Sequence, residues 1–400
     1  MASTTDRSPV DTSFAPAVRQ MLPWVILLRL TVNTALRMGY SFLPAFARGA
    51  QISNGAMGAV LAGRDLSGLA APLAGRVVDK RGTGRILAAA GAGSAIGMAI
   101  SATAPLGLII GFLIVGFGSV VVSVATGAWI GHAVAYERRG KATGLVELSW
   151  GGAALLGIPL MGVLIDSFGW RAAPAALAVV AFPASIVTSR NSASLSESDP
   201  VRSAKPSMDR TAAASLASFS LLIASAQFVF IGHGLWLEDT YGLSATGIGL
   251  VVFAAAVMEV VATLATSRFT DGLGKQRAIA LGTAVMVAGM VVLAITPAGP
   301  LPIAVIFLAV MFLGFEFAIV SGISLMAELD PRARAAMVAR SQAVAILGRA
   351  GVSLIAVGIY ERFGFGTLMA IAAVVGVLTL ILTIFFADEP VGTPSDLPAS

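Results

Sequence analysis

The chain contains no cysteine. Disulfides, thiolate metal sites and a cysteine nucleophile are therefore excluded. Its two histidines, His132 and His233, lie far apart, so they supply neither a metal-ligand cluster nor a nucleophile triad. No glycine-rich phosphate-binding loop is present, which excludes nucleotide-driven pumping by this chain alone. These absences point away from an enzyme, with no metal and no cofactor expected. Charge is also scarce. Only 12% of the 400 residues are charged, against roughly 25% in a soluble domain. What remains is apolar: 57% of residues are hydrophobic and 44 are glycine. That balance makes lipid the solvent, with glycines that let helices approach closely. The net charge of +5 does not indicate nucleic acid, because the basic residues sit in short loops between apolar stretches.

A span needs about 20 mostly apolar residues. Apolar runs broken by charged or turn-rich joints give twelve candidates. They are 22–45, 52–75, 86–104, 107–131, 142–164 and 172–189, then 213–236, 246–268, 278–296, 302–325, 336–359 and 365–387. Residues 1–20 and 388–400 read as cytoplasmic tails. The first apolar stretch is too long for a signal-peptide core, so no cleavage is expected. The serine-rich stretch within 190–212 cannot bury enough apolar surface to fold alone. It links an N-terminal bundle, 21–189, to a C-terminal bundle, 213–387. Basic residues gather in alternate loops: Arg76, Lys80, Arg81 and Arg85; Arg138, Arg139 and Lys141; Arg190, Arg202, Lys205 and Arg210; Arg268, Lys275 and Arg277; Arg332, Arg334 and Arg340. The opposite side holds Arg48, Arg171 and Arg362. Excess positive charge stays inside, which puts both termini in the cytoplasm.

The halves repeat. Shifted by 192 residues, Arg76, Asp79, Gly82 and Arg85 fall on Arg268, Asp271, Gly274 and Arg277, and Pro105 falls on Pro297. Shifted by 195, Phe168 and Gly169 fall on Phe363 and Gly364, and Asp166 meets Glu361. A repeat with an even number of spans keeps its orientation, so the two units are related by an axis along the membrane normal.

The loop after the second span reads Gly75-Arg-Val-Val-Asp79-Lys80-Arg-Gly82-Thr-Gly-Arg85. Its spacing resembles the signature loop of the major facilitator superfamily, and the second-half copy carries Asp271 and Arg277. The resemblance implies an all-α membrane fold of twelve transmembrane helices in two six-helix bundles. It also implies a latch in which Asp79 contacts the start of span 11, with Lys80 and Arg85 as charge partners. The glycines Gly75 and Gly82 are expected to allow a tight turn and close helix approach. Gly157-Ile-Pro159-Leu-Met-Gly162 resembles the glycine–proline motif of proton-coupled exporters, and Phe168-Gly-Trp170-Arg171 is similar to bacterial twelve-span drug:proton antiporters. Phe112 stands where many of those antiporters carry an arginine.

Eight ionisable residues sit inside the expected spans: Arg29, Arg37, Arg64, Asp65, Glu147, Glu259, Glu316 and Arg349. Each costs about 2.5–3.5 kcal/mol or more if left alone at the bilayer centre. Their balanced signs imply pairing or a watery pathway. Arg29, Asn33 and Arg37 follow each other at i, i+4 and i+8 and share one helix face. Burial favours a neutral carboxyl and a neighbouring arginine a charged one, so Glu316 and Glu259 are candidates for proton or cation binding, with Asp65 and Glu147 beside them. Arg349 and Arg64 are the expected counter-ions or anion-binding groups. Glu147 is expected in a cytoplasmic gate with Arg29 as partner. Trp150 and Gln227 are candidate pathway contacts, and Trp24, Trp170 and Trp236 suit interfacial belts. The expected function is secondary transport of a small molecule by alternating access, read as proton-coupled efflux. The alternative is proton-coupled uptake or facilitated transport of a small polar or anionic nutrient. A plasma-membrane monomer is expected, with the substrate, protons and the bilayer as its partners.

Overall fold

The computed structural model describes residues 14–135, 138–191, 208–330 and 333–386. Residues 1–13 of the expected N-terminal tail, the whole of the expected C-terminal tail and most of the linker 190–212 lie outside these residues, as do Glu137, Arg202, Lys205 and Arg332. For Asp79, Asp271 and Arg334 the backbone alone is described.

The described residues are helical throughout, with no strand among them. The first half runs α1 (Pro16–Ser41), α2 (Leu43–Ala50), α3 (Asn54–Leu66), α4 (Ala71–Arg81), α5 (Thr83–Ser101), α6 (Pro105–Ala133), α7 (Arg139–Gly152), α8 (Ile158–Phe168) and α9 (Ala172–Asn191). The second half runs α10 (Arg210–Tyr241), α11 (Ala245–Leu273), α12 (Lys275–Ile295), α13 (Leu301–Glu328) and α14 (Arg334–Phe386). Among the described residues, nine helical stretches are long and apolar enough to cross a membrane by length and composition.

Local chemistry sets the helix starts. Proline, which needs no amide partner and has a helix-ready φ, stands at the first or second position of α1, α2, α4, α6, α8 and α13. This moves the first helix out to Pro16, inside the stretch read as an irregular tail. Ser53 caps α3 by accepting from the Ala56 amide, and Ser244 caps α11 by accepting from the Gly247 amide. Between α7 and α8 the residues Ala153–Gly157 form a π-helical turn. Pro159 follows it and cannot donate to the preceding turn, so the backbone widens there.

The internal repeat extends to backbone torsions. Gly82 (φ 84°, ψ 135°) and Gly274 (φ 83°, ψ 144°) end α4 and α11 in one conformation. Gly169 (φ 82°, ψ 170°) matches Gly364 (φ 79°, ψ 173°), which breaks α14. Side chains rarely adopt positive φ, so glycine at each site dictates where the chain turns. Gly75 is different from the expectation: it lies inside α4, and nothing approaches its Cβ position within 4 Å.

Within each half, α5 packs on α6 and α9, and α12 on α13 and α14. Between halves, α3 packs on α14 and α8 on α11. Those two cross-contacts exchange under the repeat. They rely on missing side chains: a Cβ on Gly162 would collide with the Ala245 carbonyl, and where α10 meets α1 one on Gly234 would collide with the Ser41 carbonyl. Gly249 lies against Pro159, and Gly58 against the Ser353 carbonyl. Close approach through small residues is how helices associate in lipid. Trp236, expected in an interfacial belt, is instead fully buried. Its ring stacks on Phe365 at 4.0 Å and its N–H donates to the Pro297 carbonyl at 2.6 Å.

Gly162→Ala is expected to lower stability in detergent by about 1–3 kcal/mol through overpacking against a backbone atom. Gly127→Ala, where an added Cβ meets nothing within 4 Å, is expected to leave the melting temperature unchanged. A thermal melt of both variants checks this; equal melts would mean that the α8–α11 seam tolerates expansion.

Candidate functional site

The polar face of α1 meets partners along its length. Arg29 donates to Glu147 of α7 at 3.0 Å, the partner expected for it. One turn on, the Asn33 amide donates to Ser149 at 3.1 Å, with both groups buried. A further turn on, Arg37 makes two parallel bonds to Glu259 of α11, at 2.9 and 3.2 Å. Both side chains of that last pair are more than nine-tenths buried. Trp150 covers the Arg37 guanidinium, with 4.3 Å from its carbon to the ring centroid. The pair joins the two halves of the chain.

Glu316 lies close by on α13. Thr263, one turn past Glu259, offers its hydroxyl to the Glu259 main-chain carbonyl at 3.0 Å and to the Glu316 carboxylate at 3.2 Å. Glu316 is only half-buried. No ion pair to it occurs among the described residues. It is a half-buried carboxylate with a hydroxyl partner and, among the described residues, no cation bonded to it.

A second cluster surrounds Asp65 of α3. The Tyr40 hydroxyl approaches both Asp65 oxygens at 2.8 Å. Arg64 donates to Asp65 at 3.1 Å and to the Leu36 carbonyl at 2.8 Å, and its guanidinium lies over the Tyr40 ring at 4.5 Å. From the second half, Ser353 lies 3.4 Å from Asp65 and accepts from the Gln227 amide at 2.9 Å. Arg349, one turn before Ser353, is half-buried and has no ion pair among the described residues.

The pairing therefore differs from the sequence expectation. Arg64 and Arg349 are not the counter-ions of Glu259 and Glu316. Arg37 takes Glu259, Arg64 takes Asp65, and Glu316 and Arg349 form no ion pair among the described residues. Sequence can show which charges are buried, but partners on distant helices are chosen by packing. Asp65 is the most fully coordinated of the candidate carboxylates, and Glu147 the most exposed, with 59% of its side chain accessible. Trp150 and Gln227 meet the network as expected. Tyr40, Ser149, Thr263 and Ser353 were missed. Helical spacing carried a signal for three of them: Tyr40 follows Arg37 by three residues, Thr263 follows Glu259 by four, and Ser353 follows Arg349 by four, each on a shared face.

The loop motif fares unevenly. Lys80, Arg85 and Arg277 lie exposed, with no ion pair among the described residues. Side-chain contacts of Asp79 and Asp271 lie outside the described residues. His132 orders the same end of the protein, its Nδ1 3.3 Å from the Thr83 hydroxyl. The span-5 motif acts by packing. Gly157 leaves room for the Thr34 side chain of α1, while Pro159 and Gly162 border α11.

Breaking a buried pair strands a charge at a cost of about 3–5 kcal/mol, whereas replacing both partners by apolar residues is often neutral. Glu259→Gln is thus expected to lower the melting temperature sharply, and the double change Arg37→Met with Glu259→Leu to restore it. Melts of the two variants in detergent check this. A double variant as unstable as the single would mean that the pair is not the source of the loss.

The comparisons with known proteins agree with this architecture. A model of the Major Facilitator Superfamily matches residues 25–236 and 211–399. Among solved structures, the chain resembles a D-xylose–proton symporter at 16% identity and a TM-score of 0.76, over 93% of this chain and 98% of that one. It also resembles a bacterial homologue of the human lysosomal transporter Spinster, in an inward-facing and occupied conformation. That match has 13% identity and a TM-score of 0.74, over 94% of this chain and 98% of that one. At such identities the likeness is one of fold. No curated protein matches in sequence. Apolar membrane-length helices, a buried ion pair between two repeated halves and a family match over nearly the whole chain converge: this is a multi-pass membrane transporter rather than an enzyme, and it belongs to the major facilitator superfamily.

Proposed function

We propose that the chain is a secondary carrier that works by alternating access and couples export of a small molecule to proton entry. The observation that carries this reading is the Arg37–Glu259 pair between the halves, with Glu316 one hydroxyl away. A buried carboxylate holds its arginine only while ionised. Protonation of Glu259 would release Arg37 and loosen the halves from each other. Glu316, which has no ion pair among the described residues, is the carboxylate that takes up a proton or the cationic group of a substrate. Arg29 and Glu147 guard the same pathway nearer the basic loops.

Twelve spans and cytoplasmic termini belong to the same proposal. At 1.5 Å per residue, the 53 residues of α14 are far too long for one hydrocarbon core of about 30 Å, and Gly364 divides them into two spans. Taking α1 with α2 as the first span, α3 with α4 as the second, and α7 with α8 as the fifth completes the set. The basic loops then face the cytoplasm. In this reading Asp79 latches the cytoplasmic side, Asp271 and Arg277 are its second-half counterparts, and the protein sits in the plasma membrane as a monomer.

A second reading has its own support. Arg349 is half-buried with no ion pair among the described residues, which suits an anionic substrate, and one structural neighbour is by its description a proton symporter. Uptake of a small anionic nutrient with protons follows from those two facts.

Glu316→Gln is expected to reduce proton-driven efflux at least about tenfold while the protein stays in the membrane, measured as substrate accumulation in a host stripped of its own exporters. Unchanged efflux would remove Glu316 from coupling. If the second reading holds, Arg349→Ala raises KM for an organic anion at least about tenfold with little change in kcat. An equal KM would make that arginine a packing residue.

A further inference from the structure

The halves touch at the end opposite the basic loops, and the contacts there follow the repeat. Asp166 lies in the last turn of α8, and its carboxylate accepts from the first two amides of α11, Ala245 at 3.1 Å and Thr246 at 2.8 Å. At the repeat-related position in the second half, Glu361 accepts from the side chain of Asn54, the first residue of α3, at 3.4 Å. Both receiving helices begin after a capping serine, Ser244 and Ser53. Each carboxylate thus comes from the end of one half's helix and reaches the start of the other half's helix. An anion at a helix N-terminus gains from unpaired amides and from the helix dipole. The two contacts are unequal: Asp166 binds main-chain amides with both oxygens, while Glu361 holds one side chain at longer range. Arg48 and Glu238 add a cross-half ion pair beside Asp166. A cavity of about 260 Å³ lies behind these groups, lined in part by Ala45, Asp166, Leu243 and Ile248.

We propose that Asp166 and Glu361 are a two-fold latch that holds the outer end of the transporter shut, with Asp166 the stronger arm. Opening the outer end must pull α11 away from Asp166 and leave two amides and a carboxylate to water. That loss sets how easily the outward-open state is reached. The latch sits at the opposite end of the molecule from the signature loop, and it is made by residues of the helix ends, not of that loop. The proposal rests on the alternating-access reading.

The absence of native cysteine makes single-cysteine labelling direct. Ile248→Cys reports the outer cavity, where Ile248 is 1% exposed. Thr143→Cys, one turn before Glu147 on the same face, reports the inner side. Both are labelled with a membrane-impermeant maleimide, the first from outside intact cells and the second in inside-out vesicles. Asp166→Ala is expected to raise the Ile248→Cys rate about tenfold and to lower the Thr143→Cys rate, and Glu361→Gln to do the same about threefold. Asp166→Asn, which keeps the shape and one acceptor, should fall between wild type and Asp166→Ala. Unchanged rates in the double variant Asp166→Ala with Glu361→Gln overturn the latch. A rise at both reporters also overturns it, since that indicates general loosening. The wild-type rates separate this from the underlying reading. If they fail to move in opposite directions when a proton gradient is imposed, alternating access itself fails; if they do so and the variants match wild type, only the latch fails.

Discussion

An arginine taken out of water needs an anion close by, and Arg37 finds its anion in the other half of the chain. In a low-dielectric interior neither partner tolerates being left alone. The pair therefore holds α1 and α11 in one register. Trp150 covers the guanidinium, Asn33 and Ser149 satisfy each other one turn away, and Arg29 meets Glu147 at the next turn. This face of α1 is a ladder of three polar contacts, and the half-buried carboxylate of Glu316 lies beside its far end through Thr263. The remaining buried charges follow the same rule. Arg64 and Asp65 neutralise each other within α3 and engage Tyr40.

The halves are held together by two kinds of contact with different roles. Small residues allow close backbone approach at Gly58, Gly162, Gly234 and Gly249. Such packing is short-ranged and breaks cleanly when helices part. Polar contacts across the halves add direction: the Arg37–Glu259 pair deep in the protein, and Asp166 and Arg48 at one end. Because α3 with α14 and α8 with α11 exchange under the repeat, loosening one seam has a counterpart in the other. Two similar units that meet in this way can rock about a site placed between them.

Much of the architecture was legible in the chain because lipid imposes strong local rules. Apolar length, loop charge and glycine at turning points each act over a few residues, so the sequence displays them without help from the fold. The repeat read from Gly82 with Gly274, and Gly169 with Gly364, reappears as matching torsions. Arg29 with Glu147 was also within reach, since both lie in the first part of their expected spans, 22–45 and 142–164. Helix starts were less legible. Pro16 begins α1 inside a polar stretch, because proline favours a first turn whatever the hydropathy around it.

The list of buried charges, their balance of sign and the shared face of Arg29, Asn33 and Arg37 were determined by the sequence alone, because helical periodicity and the cost of charge in lipid are local facts. The choice of partner was not. Which carboxylate Arg37 takes, why Arg64 turns to its own neighbour, why Glu316 and Arg349 form no ion pair among the described residues, and why Trp236 is buried against Phe365 all depend on how helices far apart in the chain are brought side by side. Only the tertiary structure decided these, because an ion pair or a ring stack forms at a few ångströms and the sequence carries no distances between helices.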